Sequence, residues 1–144
     1  MQVKLKLKHP NVKVPTYATD GSGCFDIFPD IPEDQVQLLT KTIVLGTGLF
    51  FEIPKGKALM VYSRSGQGFN HNVRLANSVG VLDSDFRGEL KVKLTIDSDG
   101  NMLIKPGVAI AQGMIIDAPQ VSFEIVDELS DTMRGTGGFG STDK

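Results

Sequence analysis

The chain has 144 residues, of which 40% are hydrophobic and 22% charged, with a formal net charge of −2. That length and apolar share suit one soluble domain with its own hydrophobic core. A slightly acidic chain with no dense Lys/Arg run lacks the basic face a duplex binder needs, so no direct nucleic-acid binding is expected.

In chain order, Val3 to His9 alternates, with Lys4, Lys6 and Lys8 on the wet side of a strand. Cys24 is the one cysteine, so an intrachain disulfide is excluded and a reducing compartment is favoured. Glu33 to Lys41 could hold a short helix. Ile43 to Ile53 is apolar and β-rich, and Gly46 and Gly48 place a bulge or bend inside it. Lys57 to Ser63 is another strand candidate. Glu89 to Ile96 alternates cleanly, Asp97-Ser98-Asp99-Gly100 supplies a turn, and Met102 to Lys105 reads as the return strand. Pro106-Gly107 punctuates before Val108 to Ile116, and Val121 to Val126 is a last strand.

No amphipathic helix of about ten residues or more is visible. Short strands with frequent Gly and Pro turns predict an all-β fold, a jelly-roll-like barrel or sandwich. Residues 1–133 form the expected barrel domain. Residues 134–144 carry four glycines and little apolar surface, and are expected to be a mobile arm when no ligand is bound. No run reaches the ~20 apolar residues of a membrane span, and no signal peptide is visible.

Four segments crowd polar residues and glycines too closely for plain strands: Gly21 to Ile27, Ser63 to Gly66, Asn77 to Glu89 and Arg134 to Thr142. Arg64-Ser65-Gly66 offers a guanidinium, a hydroxyl and adaptable backbone N–H groups, the parts of an anion site. The arm adds Arg134, Thr136, Ser141 and Thr142 around its glycines, which let backbone amides approach a phosphate closely. It is not a nucleotide-binding P-loop, since no Gly-Lys-Ser/Thr follows. Asp83 and Asp85 do not open a calcium loop, because Arg87 and Leu94 stand where ligands are needed. His9 and His71 lack partners at zinc spacing.

Taken together and in this order, these segments resemble the five motifs of the trimeric dUTP pyrophosphatase family, from Gly21 to Thr142. Gly80-Val81-Leu82-Asp83-Ser84-Asp85-Phe86-Arg87-Gly88-Glu89 is similar to the family's uracil hairpin. Ala109-Ile110-Ala111-Gln112 is similar to its fourth motif, and Arg134 to Thr142 to its C-terminal arm. The resemblance implies a jelly-roll protomer, a homotrimer with three shared active sites, and Mg²⁺ as cofactor. It implies hydrolysis of dUTP to dUMP and pyrophosphate, which limits uracil in DNA and supplies dUMP for dTMP synthesis. A cytoplasmic location follows, the host cytoplasm if the source is viral.

By the same resemblance, Asp83 would position and deprotonate the attacking water. Asn77 and the backbone of Gly80 and Val81 would read the uracil edge, and Phe86 would pack on the deoxyribose and exclude a 2′-hydroxyl. Arg64, Ser65, Gly66 and Gln112 would hold phosphates, and Asp26 would reach the metal through water. Arg134, Gly140, Ser141 and Thr142 would belong to the arm's grip on the terminal phosphate, while Phe139 stacks over the uracil. Three positions depart from the family's usual pattern: Phe86 stands for Tyr, Ala109 for Arg, and Ser63 for Pro, with Gln67-Gly68 replacing a more apolar continuation. The two rival readings are a dCTP deaminase, whose glutamate context is missing here, and a non-catalytic scaffold, which gives no reason for Asp83, Arg64 and the arm to occur together.

Overall fold

In the computed structural model, residues 1–139 are described. Twelve strands and one short helix follow in order: β1 (Lys4–Leu7), β2 (Thr16–Tyr17), β3 (Phe25–Ile27), β4 (Gln37–Leu39), β5 (Thr42–Gly46), β6 (Leu49–Glu52), β7 (Lys57–Tyr62), α1 (Ser65–His71), β8 (Val73–Leu75), β9 (Gly80–Leu82), β10 (Lys91–Ile96), β11 (Met102–Ile104) and β12 (Ala111–Asp117). All pairings are antiparallel. The strands group as β2-β3-β12-β7-β9, β5-β10-β8, β1-β6 and β11-β4. Such small antiparallel sheets closing around one core make the jelly-roll class that the strand pattern predicts.

Period-two alternation sets which side chains point inward. On β10, Val92, Leu94 and Ile96 are buried while Lys91 and Lys93 face out. They meet Ile27, Leu39, Leu49, Leu59, Leu75, Ile104 and Ile110 in a single core. Fully burying each such side chain contributes about 1.5–3 kcal/mol.

Several elements differ from the sequence reading. Glu33 to Lys41 is not helical: Gln37–Leu39 is β4, with Leu39 fully buried and Leu38 paired against Leu103. Met102–Ile104 is a strand, but it pairs with β4 and not with β10, so the Asp97–Gly100 turn carries the chain between sheets. Val121 to Val126 is in no strand, and Phe123 and Ile125 are 91% and 98% exposed. Alternation there marks a segment suited to a sheet, but it pairs with none of the strands of its own chain. The long β run breaks at Gly46-Thr47-Gly48 into β5 and β6, as the glycines suggest. Gly48 has φ +67°, and Thr47 donates its hydroxyl to the Leu90 carbonyl at 2.7 Å. No helix among the described residues is long and apolar enough to cross a membrane.

Candidate active site

The expected site residues fall into two groups, one on each side of β7. The first is polar. Asp26 on β3, Gln112 on β12 and Tyr62 at the end of β7 lie side by side, because Gln112 pairs with Asp26 on one flank and with Tyr62 on the other. The chain then leaves β7 and turns into α1, whose N-terminus carries Ser65 and Gly66. The first intrahelical bond runs from Gly68 N–H to the Arg64 carbonyl at 3.0 Å. The N–H groups of Ser65, Gly66 and Gln67 therefore have no partner within the helix, which suits an anion.

Side chains tie this group together. Arg64 Nε lies 3.3 Å from Asp26 Oδ1, both half-buried. Gln112 Nε2 donates to the Ser63 carbonyl at 2.8 Å. The Ser63 hydroxyl accepts the Leu75 N–H at 2.9 Å, so the serine that stands for proline fastens the start of this turn to β8. Gln67 is buried, and its Nε2 donates to the Ala109 carbonyl at 2.9 Å.

The second group surrounds a cavity of about 360 Å³, within the ~300–1,000 Å³ range of small-ligand sites. Asn77, Gly80, Val81, Asp83, Phe86 and Glu89 are among its lining residues. The expected hairpin is a splayed one. β9 pairs with β7 through Val61 opposite Gly80, Met60 opposite Val81 and Leu59 opposite Leu82, while β10 belongs to the other large sheet. The two arms diverge into different sheets, and the cavity opens between them. β9 is the last strand of its sheet. Its outer edge therefore offers backbone donors and acceptors to whatever enters.

The turn into β9 is held in an uncommon shape. Ser78 has φ +65°, and Asn77 Nδ2 donates to the Val79 carbonyl at 3.2 Å. A non-glycine residue held there costs roughly 1–3 kcal/mol, and such positions cluster at ligand sites. At the hairpin tip, Phe86 N–H bonds to the Asp83 carbonyl at 3.2 Å. Arg87 Nη1 donates to the carbonyls of Ser84 and Phe86, at 2.8 and 3.0 Å. Asp83 is exposed at the mouth of the cavity.

One chain does not bring the two groups together. None of Asp26, Arg64, Ser65, Gly66 or Gln112 lines the cavity. Leu82 pairs with Leu59, so Asp83 comes level with Ala58. From there to Arg64 is about six residues along β7, or about 20 Å at ~3.3 Å per residue. The arm is equally apart. Arg134 Nε donates to the Gly137 carbonyl at 2.9 Å, and Phe139 is exposed and does not line the cavity of its own chain. Gly140, Ser141 and Thr142 lie outside the described residues.

Sequence reasoning gave no role to Gln67, Arg87, Gly88 or Glu89. Glu89 Oε1 accepts the Gly48 N–H at 3.0 Å, which joins the hairpin base to the β5–β6 turn. Charged residues flanking a tight turn were the available signal for Arg87 and Glu89. Gln67 stood out only as a polar residue in an apolar place.

The fold is an antiparallel jelly roll that carries a turn suited to an anion and a cavity of small-ligand size. The family model described as dUTPase matches residues 10–143, and the chain belongs to that family. A deoxyuridine 5′-triphosphate nucleotidohydrolase of Nautilia profundicola is 40% identical over 100% of both chains. A protein of the same name from Helicobacter pylori is 37% identical over 99% of this chain and 97% of its own. Among solved structures, the G164S mutant of the Staphylococcus bacteriophage 80alpha dUTPase, with dUpNHpp, has a TM-score of 0.86 at 22% identity, with 98% of each chain covered. That likeness concerns the fold.

Proposed function

We propose that this chain hydrolyses dUTP to dUMP and pyrophosphate in a homotrimer whose sites are each assembled from several subunits. The observation that carries the reading is the position of Asp83, at the mouth of an apolar, nucleoside-sized slot whose wall is an open sheet edge. In this reading uracil enters the slot and bonds to the backbone of Gly80 and Val81, with Asn77 beside them. Cytosine would leave those groups unpaired, a mismatch that can cost ~10⁴–10⁵-fold. Phe86 packs on the deoxyribose.

The Asp83 carboxylate accepts a proton from a water aligned on the α-phosphorus. The water oxygen forms the new P–O bond as the bond to the bridging oxygen breaks, and pyrophosphate leaves with that electron pair. General base catalysis of this kind contributes about 10²–10⁴-fold. Arg64, the Gln112 amide and the N–H groups at Ser65 and Gly66 hold the phosphate oxygens as charge shifts toward the leaving group.

The wide separation of Asp83 and Arg64 within one chain supports a shared site, with the hairpin from one subunit and the phosphate group from another. The unpaired Val121–Val126 segment supports it further, since a neighbour's sheet edge would cover its exposed apolar side chains. The arm, residues 134–144 with Arg134, Phe139, Gly140, Ser141 and Thr142, is proposed to close over a third subunit's nucleotide and exclude water.

Mg²⁺ fits the donor set. No group of three or more His, Cys, Asp and Glu residues forms a protein cage among the described residues. Mg²⁺ is commonly held by one or two carboxylates, phosphate oxygens and several waters, and Asp26 beside Arg64 offers one such carboxylate. When bound, the ion supplies charge neutralisation on the phosphate oxygens.

The test is pyrophosphate release from dUTP, dCTP, dTTP and UTP, with Mg²⁺ and with chelator. Release from dUTP alone, lost with chelator, is the expected result. Ammonia from dCTP would move the chain to deaminase chemistry, and silence on all four nucleotides would leave a binding scaffold.

A further inference from the structure

We infer that Gly88 is a positioning residue: its missing side chain sets where the Phe86 ring stands, and through the ring it sets the width of the sugar end of the slot. This rests on the proposed reading of Phe86 as the deoxyribose wall.

Glycine is usually required where φ is positive. Gly88 is not among the glycines with positive φ, which are Gly48, Gly56, Gly107 and Gly135 among the described residues. Backbone conformation therefore gives no reason for glycine here, and space does. A Cβ at position 88 would lie 2.5 Å from Phe86 Cζ, 2.9 Å from Cε2 and 3.3 Å from Cε1. All three nearest atoms belong to that ring. Carbon atoms pack at about 3.5–4.0 Å, so the ring tip would have to shift by roughly 1 Å or more.

The shift matters because of what lines the slot. Phe86 is a lining residue and Gly88 is not, although Glu89, Leu90 and Lys91 are. A methyl group at position 88 therefore displaces a ring that walls the slot. Arg87 holds the backbone of the turn through the carbonyls of Ser84 and Phe86, so the half-exposed Phe86 ring itself has to turn away. Glu89 fixes the other flank through Gly48 N–H. A misplaced wall weakens binding of the deoxynucleotide without touching the base that activates water.

The experiment measures KM and kcat for dUTP and UTP, with melting temperature as a control, for the full chain, Gly88→Ala, Phe86→Ala and the double variant. Gly88→Ala is expected to raise the KM for dUTP by about tenfold, with a smaller change in kcat, because the displaced ring contacts the sugar and not the reacting atoms. In the Phe86→Ala background the same substitution is expected to change KM by less than about twofold, since the group it displaces is gone. Equal effects in both backgrounds, or no effect in either, would overturn the inference. An unchanged dUTP-to-UTP preference in Phe86→Ala alone would instead overturn the sugar-wall reading, and that result requires no change at Gly88. Should Gly88→Ala alone not fold, the double variant is expected to fold, and a double variant equally unfolded would sink the idea.

Discussion

The polar group around Arg64 and the slot around Phe86 flank the same strand, β7, yet they are organised by different physics. Around Arg64, side chains are tied by hydrogen bonds: Gln112 to Ser63, Gln67 to Ala109, and the ion pair to Asp26. Around Phe86, the wall is apolar for the greater part, and the turn is fixed by a backbone bond and by Arg87. An anion site works when its donors are already aimed, so that little reorganisation is left for the reaction. A selectivity pocket works by shape and by what it leaves unpaired. Substitutions on the Arg64 side should therefore act on phosphate chemistry, and those on the Phe86 side on the choice of base and sugar.

The strongest way to break that division is to place the two halves on different chains. Asp83→Asn and Arg64→Ala are each expected to lose at least about 10²-fold in kcat, with nucleotide binding retained in Asp83→Asn. Co-expressed and purified as mixed oligomers, the two inactive variants are expected to recover roughly a quarter of the wild-type activity, because sites with both intact residues re-form across subunits. No recovery would place both residues in a site within one chain, against the separation along β7.

Next in size is the arm. Removing residues 134–144 is expected to leave the folded oligomer intact by size-exclusion chromatography, with kcat/KM lowered by more than about tenfold. The arm residues that are described, up to Phe139, add nothing to the core. A monomeric or unfolded product would make this segment structural instead. Cutting further, before Val121, is expected to dissociate the oligomer, because the exposed alternating stretch goes with it.

Much of this was legible from residue order, and the failures share a cause. That β10 is a strand, and which of its side chains face inward, follows from alternation alone. Pairing over distance does not. Alternation in Met102–Lys105 says that a strand forms, but not that it pairs with β4 rather than with β10 across the Asp97 turn. The same signal at Val121–Val126 marks a segment that pairs with no strand of its own chain. Helix α1 carries no legible sequence signal because it has only seven residues, two of them glycines, and ends on Asn72 with φ +55°. Its stability comes from packing, with Gln67 buried, and not from propensity. The motif residues were readable as a set. Their division into two groups was not, since that depends on the β7 register.

The smallest effect sharpens the comparison most directly, because it touches the polar group without touching any residue proposed to meet the nucleotide. Gln67 is buried, and its amide is the main partner of the Ala109 carbonyl; Arg64 Nη1 reaches that oxygen only at 3.5 Å. Gln67→Leu keeps the volume and removes the donor. Leaving a buried carbonyl short of a partner costs about 1–3 kcal/mol, which in a domain of this size lowers Tm by roughly 3–10 °C. The turn that carries Arg64, Ser65 and Gly66 is then held to β12 mainly through Gln112 and Ser63. The expected kinetic signature is a modest rise in KM for every phosphorylated ligand, with the dUTP-to-UTP preference unchanged. A shift in that preference would mean that the two sides of β7 are mechanically coupled, and that the separation of aimed donors from shaped walls does not hold in this protein.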